Sequence, residues 1–412
     1  MIYNEATLRF IRNHRFDDVR KLALQARSLA DPEVDILAAL TQIEGLQSAE
    51  NKIPSWFQSE GVIYPPALSM EQCSSEATAR YKASLLSGNS FVDLTGGFGV
   101  DFAFIAPKFI ETSYVEKQAG LCELAAHNLK VLGLNPAKIE NTDAVEYLKK
   151  MSPVDTVFID PARRSDVGKK VVAIENCEPD LSAIQDLLLE KAESVLIKLS
   201  PMLDISQALL VFTPKSPEGD FKPPLGGWGS NVAEVHVVSL DNECKELLFL
   251  LKRNFNRETR IICVNLNKKG ERQEISFCPS QEKECHIEYT SLVGNYIYEP
   301  NASILKAGFF KGLTRSYPIR KFHSDSHLYT SETLIQDFPG RTFQVETYAS
   351  FNKKELKELL QGVDKANLSI RNFPLSVAEL RKKLKLKEGG EIYLFATTLA
   401  NAKHVIIKGR KH

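Results

Sequence analysis

No run of 18 apolar residues occurs in this 412-residue chain, so the sequence holds no stretch expected to span a bilayer. The opening stretch, MIYNEATLRFIRNHRF, lacks the apolar centre of a secretory signal. Cysteine is sparse and poorly spaced for chemistry. The seven residues 73, 122, 177, 244, 263, 278 and 285 are odd in number and never form C-x-x-C. That spacing speaks against a zinc site or a disulfide framework and for reduced thiols in a cytoplasm. An excess of one charge is missing too, because 52 Lys and Arg cancel 52 Asp and Glu. Any attraction for nucleic acid must therefore be local. What remains is ordinary for a soluble globular protein, with 43% hydrophobic and 25% charged residues. The length suits about two to four domains.

The stretch that organises the chain is Phe91–Asp101, FVDLTGGFGVD. A short apolar run ending in Asp93 reads as a buried parallel strand. Thr95-Gly96-Gly97-Phe98-Gly99 follows, and a helix pattern begins near Asp101. Glycines let backbone approach a ligand, and a helix start offers free N–H groups. Thr95 holds the first glycine place of G-x-G-x-x-G, which disfavours a nicotinamide dehydrogenase. A Gly-rich turn alone is a weak signal, and an ordinary tight turn is the competing reading.

Apolar residues at helical spacing over 1 to about 60 predict a small cap of three or four helices. Ser74 or Ser75 is placed to cap a further helix to about Leu86. That segment reads either as a solvated helix or as a lid that turns Gln72, Ser75, Glu76 and Thr78 towards a ligand. From Phe91 onward, strand and helix patterns alternate. Strands are expected at 91–94, 113–116, 138–141, 155–160, 194–199, 232–239 and 260–266. Helices are expected at roughly 100–108, 118–132, 143–151, 180–191, 203–211 and 241–253. This alternation predicts an α/β fold with a doubly wound, seven-stranded sheet, whose ligands sit at the carboxyl ends of the strands.

Those ends carry polar residues in order. The first strand ends at Asp93 and the second at Glu116, which lies at the spacing suited to ribose hydroxyls. Asn141-Thr142-Asp143-Ala144 follows the third, Asp160-Pro161-Ala162-Arg163-Arg164 the fourth, and Lys198-Leu199-Ser200-Pro201-Met202 ends the fifth. Any one of these is commonly a solvated strand end, whereas the ordered set points to one site.

Asp93-Leu94-Thr95-Gly96-Gly97-Phe98-Gly99, Glu116, Asp143 and Asp160-Pro161-Ala162-Arg163 resemble motifs I to IV of the class I S-adenosylmethionine-dependent methyltransferases. Together with residues 70–82 and the C-terminal pattern below, the chain resembles the bacterial methyltransferases that carry a THUMP-like C-terminal domain. The resemblance implies that Asp93, Thr95, Gly97 and Gly99 shape the loop under the methionine part of S-adenosylmethionine. It places Glu116 on the ribose, with Lys117 beside it, and Asp143 with Ala144 on the adenine. It sets Asp160, Pro161 and Arg163 against the transferred methyl. In amino-methylating relatives an aromatic residue stands where Arg163 stands here, and a guanidinium can stack on a base in its place. No cysteine lies in 160–163 or 198–204, which disfavours covalent attack on a pyrimidine carbon.

Arg164 and Lys198 are candidate phosphate clamps at the substrate, and Trp228, in the Gly/Pro loop 214–229, is a candidate cover for the acceptor. Beyond about residue 275 the alternation stops. Basic and aromatic residues interleave over 304–323, as an RNA surface or a small basic module would show. His286–Tyr289 and Asn295–Tyr298 read as strands. From near Arg341 a βαβαββ pattern predicts a small α+β domain, with strands 342–348, 366–371, 392–397 and 403–408 and helices 352–360 and 376–385. Residues 351–412 hold fourteen Lys and Arg against six Asp and Glu, a balance of +8 that is densest at Arg381, Lys382 and Lys383. That excess favours a phosphate-bearing partner.

The expected division is a helical N-terminal region and cofactor lid (1–87), a cofactor domain (88–275), a ferredoxin-like basic-aromatic module (276–338) and a THUMP-like domain (339–412). The expected function is S-adenosylmethionine-dependent methylation of a base in tRNA or rRNA, without metal or membrane. A small-molecule or protein methyltransferase, and an RNA-binding adaptor with a vestigial cofactor fold, are the competing readings.

Overall fold

The computed structural model describes residues 3–29, 31–134, 138–163, 174, 177–213, 231–268 and 270–412. They form two compact units. One comprises the described residues up to 213 with 231–234 and 246–257, and the other comprises 235–245 and 258–412.

Six helices open the chain: α1 (Glu5–His14), α2 (Val19–Leu29), α3 (Ile36–Lys52), α4 (Pro54–Phe57), α5 (Ala67–Gln72) and α6 (Glu76–Leu85). Short polar residues start three of them. Asn4, Asp35 and Ser75 accept the N–H groups of Thr7, Ala38 and Thr78. Phe10, Ile11, Leu22, Ala39 and Ile43 bury the facing stripes of α1–α3.

The α/β core follows as β1 (Ser90–Asp93), α7 (Val100–Ile105), β2 (Glu111–Glu116), α8 (Ala119–Val131), β3 (Lys138–Asn141), α9 (Ala144–Lys150), β4 (Val154–Ile159), α10 (Leu181–Lys191), β5 (Ala192–Leu199), α11 (Ile205–Val211), β6 (Val232–Leu240), β7 (Glu243–Lys252), β8 (Arg260–Leu266) and β9 (Arg272–Phe277). The strand order is β9-β8-β6-β7-β5-β4-β1-β2-β3. Strands β3, β2, β1, β4 and β5 run parallel, and β7 lies antiparallel to β5. The doubly wound sheet is thus present, with strands at all seven expected positions, and two further strands, β7 and β9, make it nine-stranded rather than seven-stranded.

Residues 243–252 are a strand, not the helix their Leu, Glu and Lys content suggests. Asp241 and Asn242 adopt φ values of 50° and 65°. Positive φ at both central positions is the signature of a two-residue hairpin turn. Burial of Leu247 to Leu251 on both faces of the sheet then explains the unbroken apolar run.

The N-terminal region packs on this core through specific polar contacts. Asn128 of α8, fully buried, accepts the Ile63 N–H at 2.9 Å and donates to the Ile63 carbonyl at 2.8 Å. Phe98 of the glycine-rich loop meets Trp56 edge-on at 5.0 Å between centroids.

In the second unit, α12 (Pro279–Lys283), β10 (Tyr296–Pro300), α13 (Ala302–Ala307), α14 (Leu313–Ser316), β11 (Arg320–Lys321), β12 (Tyr329–Ser331), β13 (Gly340–Ser350), α15 (Lys353–Leu359), β14 (Asn367–Arg371), α16 (Val377–Leu384), β15 (Ile392–Thr398) and β16 (His404–Lys411) follow. The strands make one sheet in the order β11-β12-β10-β13-β16-β15-β14. Leu356, Leu359 and Leu380 pack α15 and α16 on one face, and Ile297, Phe343 and Phe395 line the other core.

Glu299 of β10 is buried and accepts hydrogen bonds from Arg341 of β13 and, four places along the sheet, from Ser369 (3.0 Å) and Arg371 (2.8 Å) of β14. The sheet must curl strongly to bring β14 back to β10. His286–Tyr289 forms no strand, and the next residue, Thr290, donates its backbone N–H to the Lys321 carbonyl and accepts from the Ala400 N–H. Among the described residues, no helix is long and apolar enough to cross a membrane, and no group of three His, Cys, Asp or Glu is placed to hold a metal ion.

Candidate active site

Each residue of the loop after β1 has a physical task. Asp93 is buried at 1% exposure and accepts the Thr95 N–H at 2.9 Å. Burial pushes its carboxyl well above the usual range. The Thr95 N–H works against that shift, while the Asp101, Asp160 and Glu116 carboxylates add to it. Thr95 Oγ1 accepts the Asp160 N–H at 2.6 Å, which ties the ends of β1 and β4 together.

Gly97 and Gly99 adopt φ of 55° and 88°, and Gly99 starts α7. Gly96 is needed for another reason. A Cβ there would stand 2.1 Å from the buried ring of Tyr114, whose hydroxyl donates to the Gly97 carbonyl. Gly96→Ala is therefore expected to lower stability by roughly 1–3 kcal/mol, read as a lower urea midpoint.

Glu116 closes the far side of the loop. Its Oε2 accepts the Gly97 N–H at 3.0 Å and its Oε1 accepts the Gln118 N–H at 2.8 Å. An ionised carboxylate has about four lone-pair sites, so capacity remains for two donor hydroxyls. Lys117 next to it is half exposed and pairs with Glu178 at 2.8 Å. Asn141, the last residue of β3, donates to the Glu116 and Lys117 carbonyls. Asp143 caps α9 through one oxygen, Oδ1, which accepts the Val145 and Glu146 N–H groups, and Ala144 is the first helical residue.

At the end of β4, Asp160 is partly exposed and Pro161 is buried. The Ala162–Arg163 backbone pairs with Cys177–Glu178. Asp160 Oδ2 accepts from Lys198 Nζ at 2.5 Å. Lys198, expected at the substrate phosphate, thus gives its ammonium to Asp160. Burial opposes the charge on Lys198, but the Asp160, Asp101 and Glu246 carboxylates outweigh it, so its pKa lies above the ordinary value.

Beneath this pair lies a network that sequence reasoning missed. Lys82 of α6 is fully buried, and its Nζ donates to both oxygens of Glu246 at 2.8 and 2.7 Å and to Ser74 Oγ at 3.1 Å. The same ammonium lies 3.1 Å from Asp101, which also accepts from Ser74 at 2.7 Å. The available signals were a lysine on the helix face of Thr78 and Ala79, and a glutamate opening the apolar run Glu246–Leu251. Of the residues expected to line a lid, Ser75 caps α6, Thr78 bonds back to Ser75, and Glu76 holds the Ser55 N–H and Arg80.

Asp93, Thr95, Gly97, Gly99, Glu116, Lys117, Asp143, Ala144, Asp160, Pro161 and Lys198 thus share one sheet edge. Arg164 and Trp228 lie outside the described residues. Arg381, Lys382 and Lys383 belong to the second unit, on α16. Arg381 donates to the Ala366 carbonyl at 3.1 Å, Lys383 Nζ lies 4.4 Å from the Phe351 ring centroid, and Lys382 is exposed.

Residues 340–411 match the THUMP domain-like family model, and residues 296–339 match a ferredoxin-like domain model. The chain is similar over its whole length to the crystal structure of a "putative methyltransferase from Porphyromonas gingivalis W83". The identity is 34%, both chains are covered at 100%, and the TM-score is 0.84. Partial matches include a "putative methyltransferase" from Escherichia coli, at 17% identity over 44% of this chain and 85% of that one, with TM-score 0.29. Another is a "putative RNA methyltransferase" from Pyrococcus horikoshii, at 16% over 46% and 92%, with TM-score 0.31. No curated protein sequence matches the chain.

Proposed function

Because the chain belongs to the family of class I methyltransferases that carry a THUMP-like C-terminal domain, we propose that it transfers the methyl group of S-adenosylmethionine to a base in a structured RNA, either tRNA or rRNA. The observation that carries this reading is the tie between the ends of three strands. Gly97 N–H bonds Glu116, and Thr95 Oγ1 bonds the Asp160 N–H. The residues present fit the donor. Glycine at 97 and 99 keeps the loop clear of side chains, Glu116 retains acceptor capacity for ribose hydroxyls, and Asp143 has its Oδ2 for an adenine amino group.

When bound, the donor supplies an electrophilic methyl group on a sulfonium. The protein's own work is positioning and proton handling. Asp160 accepts a hydrogen bond from the acceptor nitrogen, aims its lone pair and takes its proton. Arg163 offers a planar guanidinium to the base, as the resemblance implies. The RNA is held by the basic second unit. There α15 and α16 share one face of the sheet, and the Glu355 and Glu379 carboxylates accept bonds from the Ser350 and Ser376 N–H groups at the helix starts, while lysines 353, 354, 357, 382 and 385 are exposed.

Tritium transfer from labelled S-adenosylmethionine to total RNA tests the proposal. Incorporation that depends on Asp160 supports it, and none above an Asp160→Ala control would refute it. Replacing Lys354 and Lys382 with Glu in the full chain is expected to weaken RNA binding and flatten its salt dependence by about two counterions.

A further inference from the structure

We propose that Lys198 is a positioning residue for Asp160, anchored from below by the buried Lys82–Glu246–Asp101 network. This rests on the methyl-donor reading above. Asp160 is held twice. Its N–H is bonded to Thr95 Oγ1 at 2.6 Å, and its Oδ2 is engaged by Lys198 at 2.5 Å. Oδ1 is therefore the oxygen presented to an acceptor, with little freedom to turn.

The exposure gradient fits a device aimed outward. The side chains of Asp160, Lys198, Glu246 and Lys82 are 35%, 14%, 3% and 0% exposed, from the rim to the core. Among the described residues, the charged and titratable groups around Lys198 come from several elements. Asp160 follows β4, Asp101 lies on α7, Glu246 on β7, Lys82 on α6, and Cys73 precedes α6, while Asp93 at the end of β1 faces Asp160. Lys198 is the cation placed among the Asp160, Asp101 and Glu246 carboxylates on the rim side of Lys82. An ammonium so committed is a poor phosphate clamp. Its effect is to supply Asp160 with a counter-charge and a fixed direction.

Removing that charge leaves neighbouring carboxylates facing one another, and the site then takes up a proton as pH falls. S-adenosylmethionine and S-adenosylhomocysteine differ at sulfur by one positive charge, so the ratio of their dissociation constants reads the local charge. Calorimetry on the full-length chain compares wild type, Lys198→Met and Lys198→Arg between about pH 6 and pH 9. The wild-type ratio is expected to stay within about twofold, whereas Lys198→Met should favour the sulfonium by about tenfold more at the high end than at the low end. Lys198→Arg, which keeps the charge, should restore a flat ratio.

A flat ratio in Lys198→Met would overturn the proposal while leaving the donor reading intact. Failure of the wild type to bind either ligand would overturn the donor reading itself, and this inference with it. Should Lys198→Met not fold, Lys198→Arg carries the test. Its displaced charge should lower methyl transfer about tenfold at unchanged donor affinity, and undiminished transfer would refute the proposal.

Discussion

Asp160→Asn is expected to lower methyl transfer by about 10²–10³-fold while leaving S-adenosylmethionine affinity within about threefold. The substitution keeps the shape of the side chain and its backbone tie to Thr95. It removes the charge proposed to receive the acceptor's proton. Lys198 is not left without a counter-charge, because the Asp101 and Glu246 carboxylates remain around it. Loss of kcat with little change in donor binding is the signature of an interaction made only during the chemical step. Single-turnover transfer to RNA, paired with calorimetry, measures both quantities. A variant that transfers at the wild-type rate would remove Asp160 from the chemistry.

Lys82→Met is expected to destabilise the first unit by about 3–5 kcal/mol, or roughly 10 °C in its melting temperature. Lys82 and Glu246 are both buried, and each satisfies the other. Methionine fills the volume but leaves Glu246 and Asp101 without their shared ammonium. Burial already raises the Glu246 carboxyl pKa, against the pull of Lys82 and Lys198. With Lys82 gone it rises further. A carboxyl whose folded pKa exceeds its unfolded value binds more protons when folded, so stability falls as pH climbs above the unfolded value. The deficit of Lys82→Met should therefore be smaller near pH 5 than near pH 8. Urea unfolding across that range checks it, and a deficit that does not vary with pH would contradict the assignment.

The placement of the candidate residues at the strand ends was legible because it is local. The order of Asp93, Glu116, Asp143 and Asp160 along the chain follows from strands that end in polar residues. The glycines of the loop mark positive φ at 97 and 99 and the close approach of Tyr114 at 96. The last six elements were also legible, since short strands and helices there alternate with clear turn residues. What was hidden is pairing across distance. Lys82 and Glu246 are 164 residues apart, and no local pattern joins them. Lys198 reads as a cation at a ligand edge until Asp160 is seen against it. The helix expected over 241–253 failed because its composition favours helix, while two residues, Asp241 and Asn242, set a hairpin. Glu299 looks like one acidic residue in a strand until the sheet curls Ser369 and Arg371 onto it.

The central claim is that the edge formed by Asp93, Glu116, Asp143 and Asp160 holds an adenosyl sulfonium. Titration calorimetry of the full-length protein with S-adenosylmethionine tests it most directly, alongside Glu116→Ala. The predicted result is one site per chain, weakened at least about a hundredfold when the Glu116 carboxylate is removed. No heat of binding in the wild type, or full affinity in Glu116→Ala, would contradict the account.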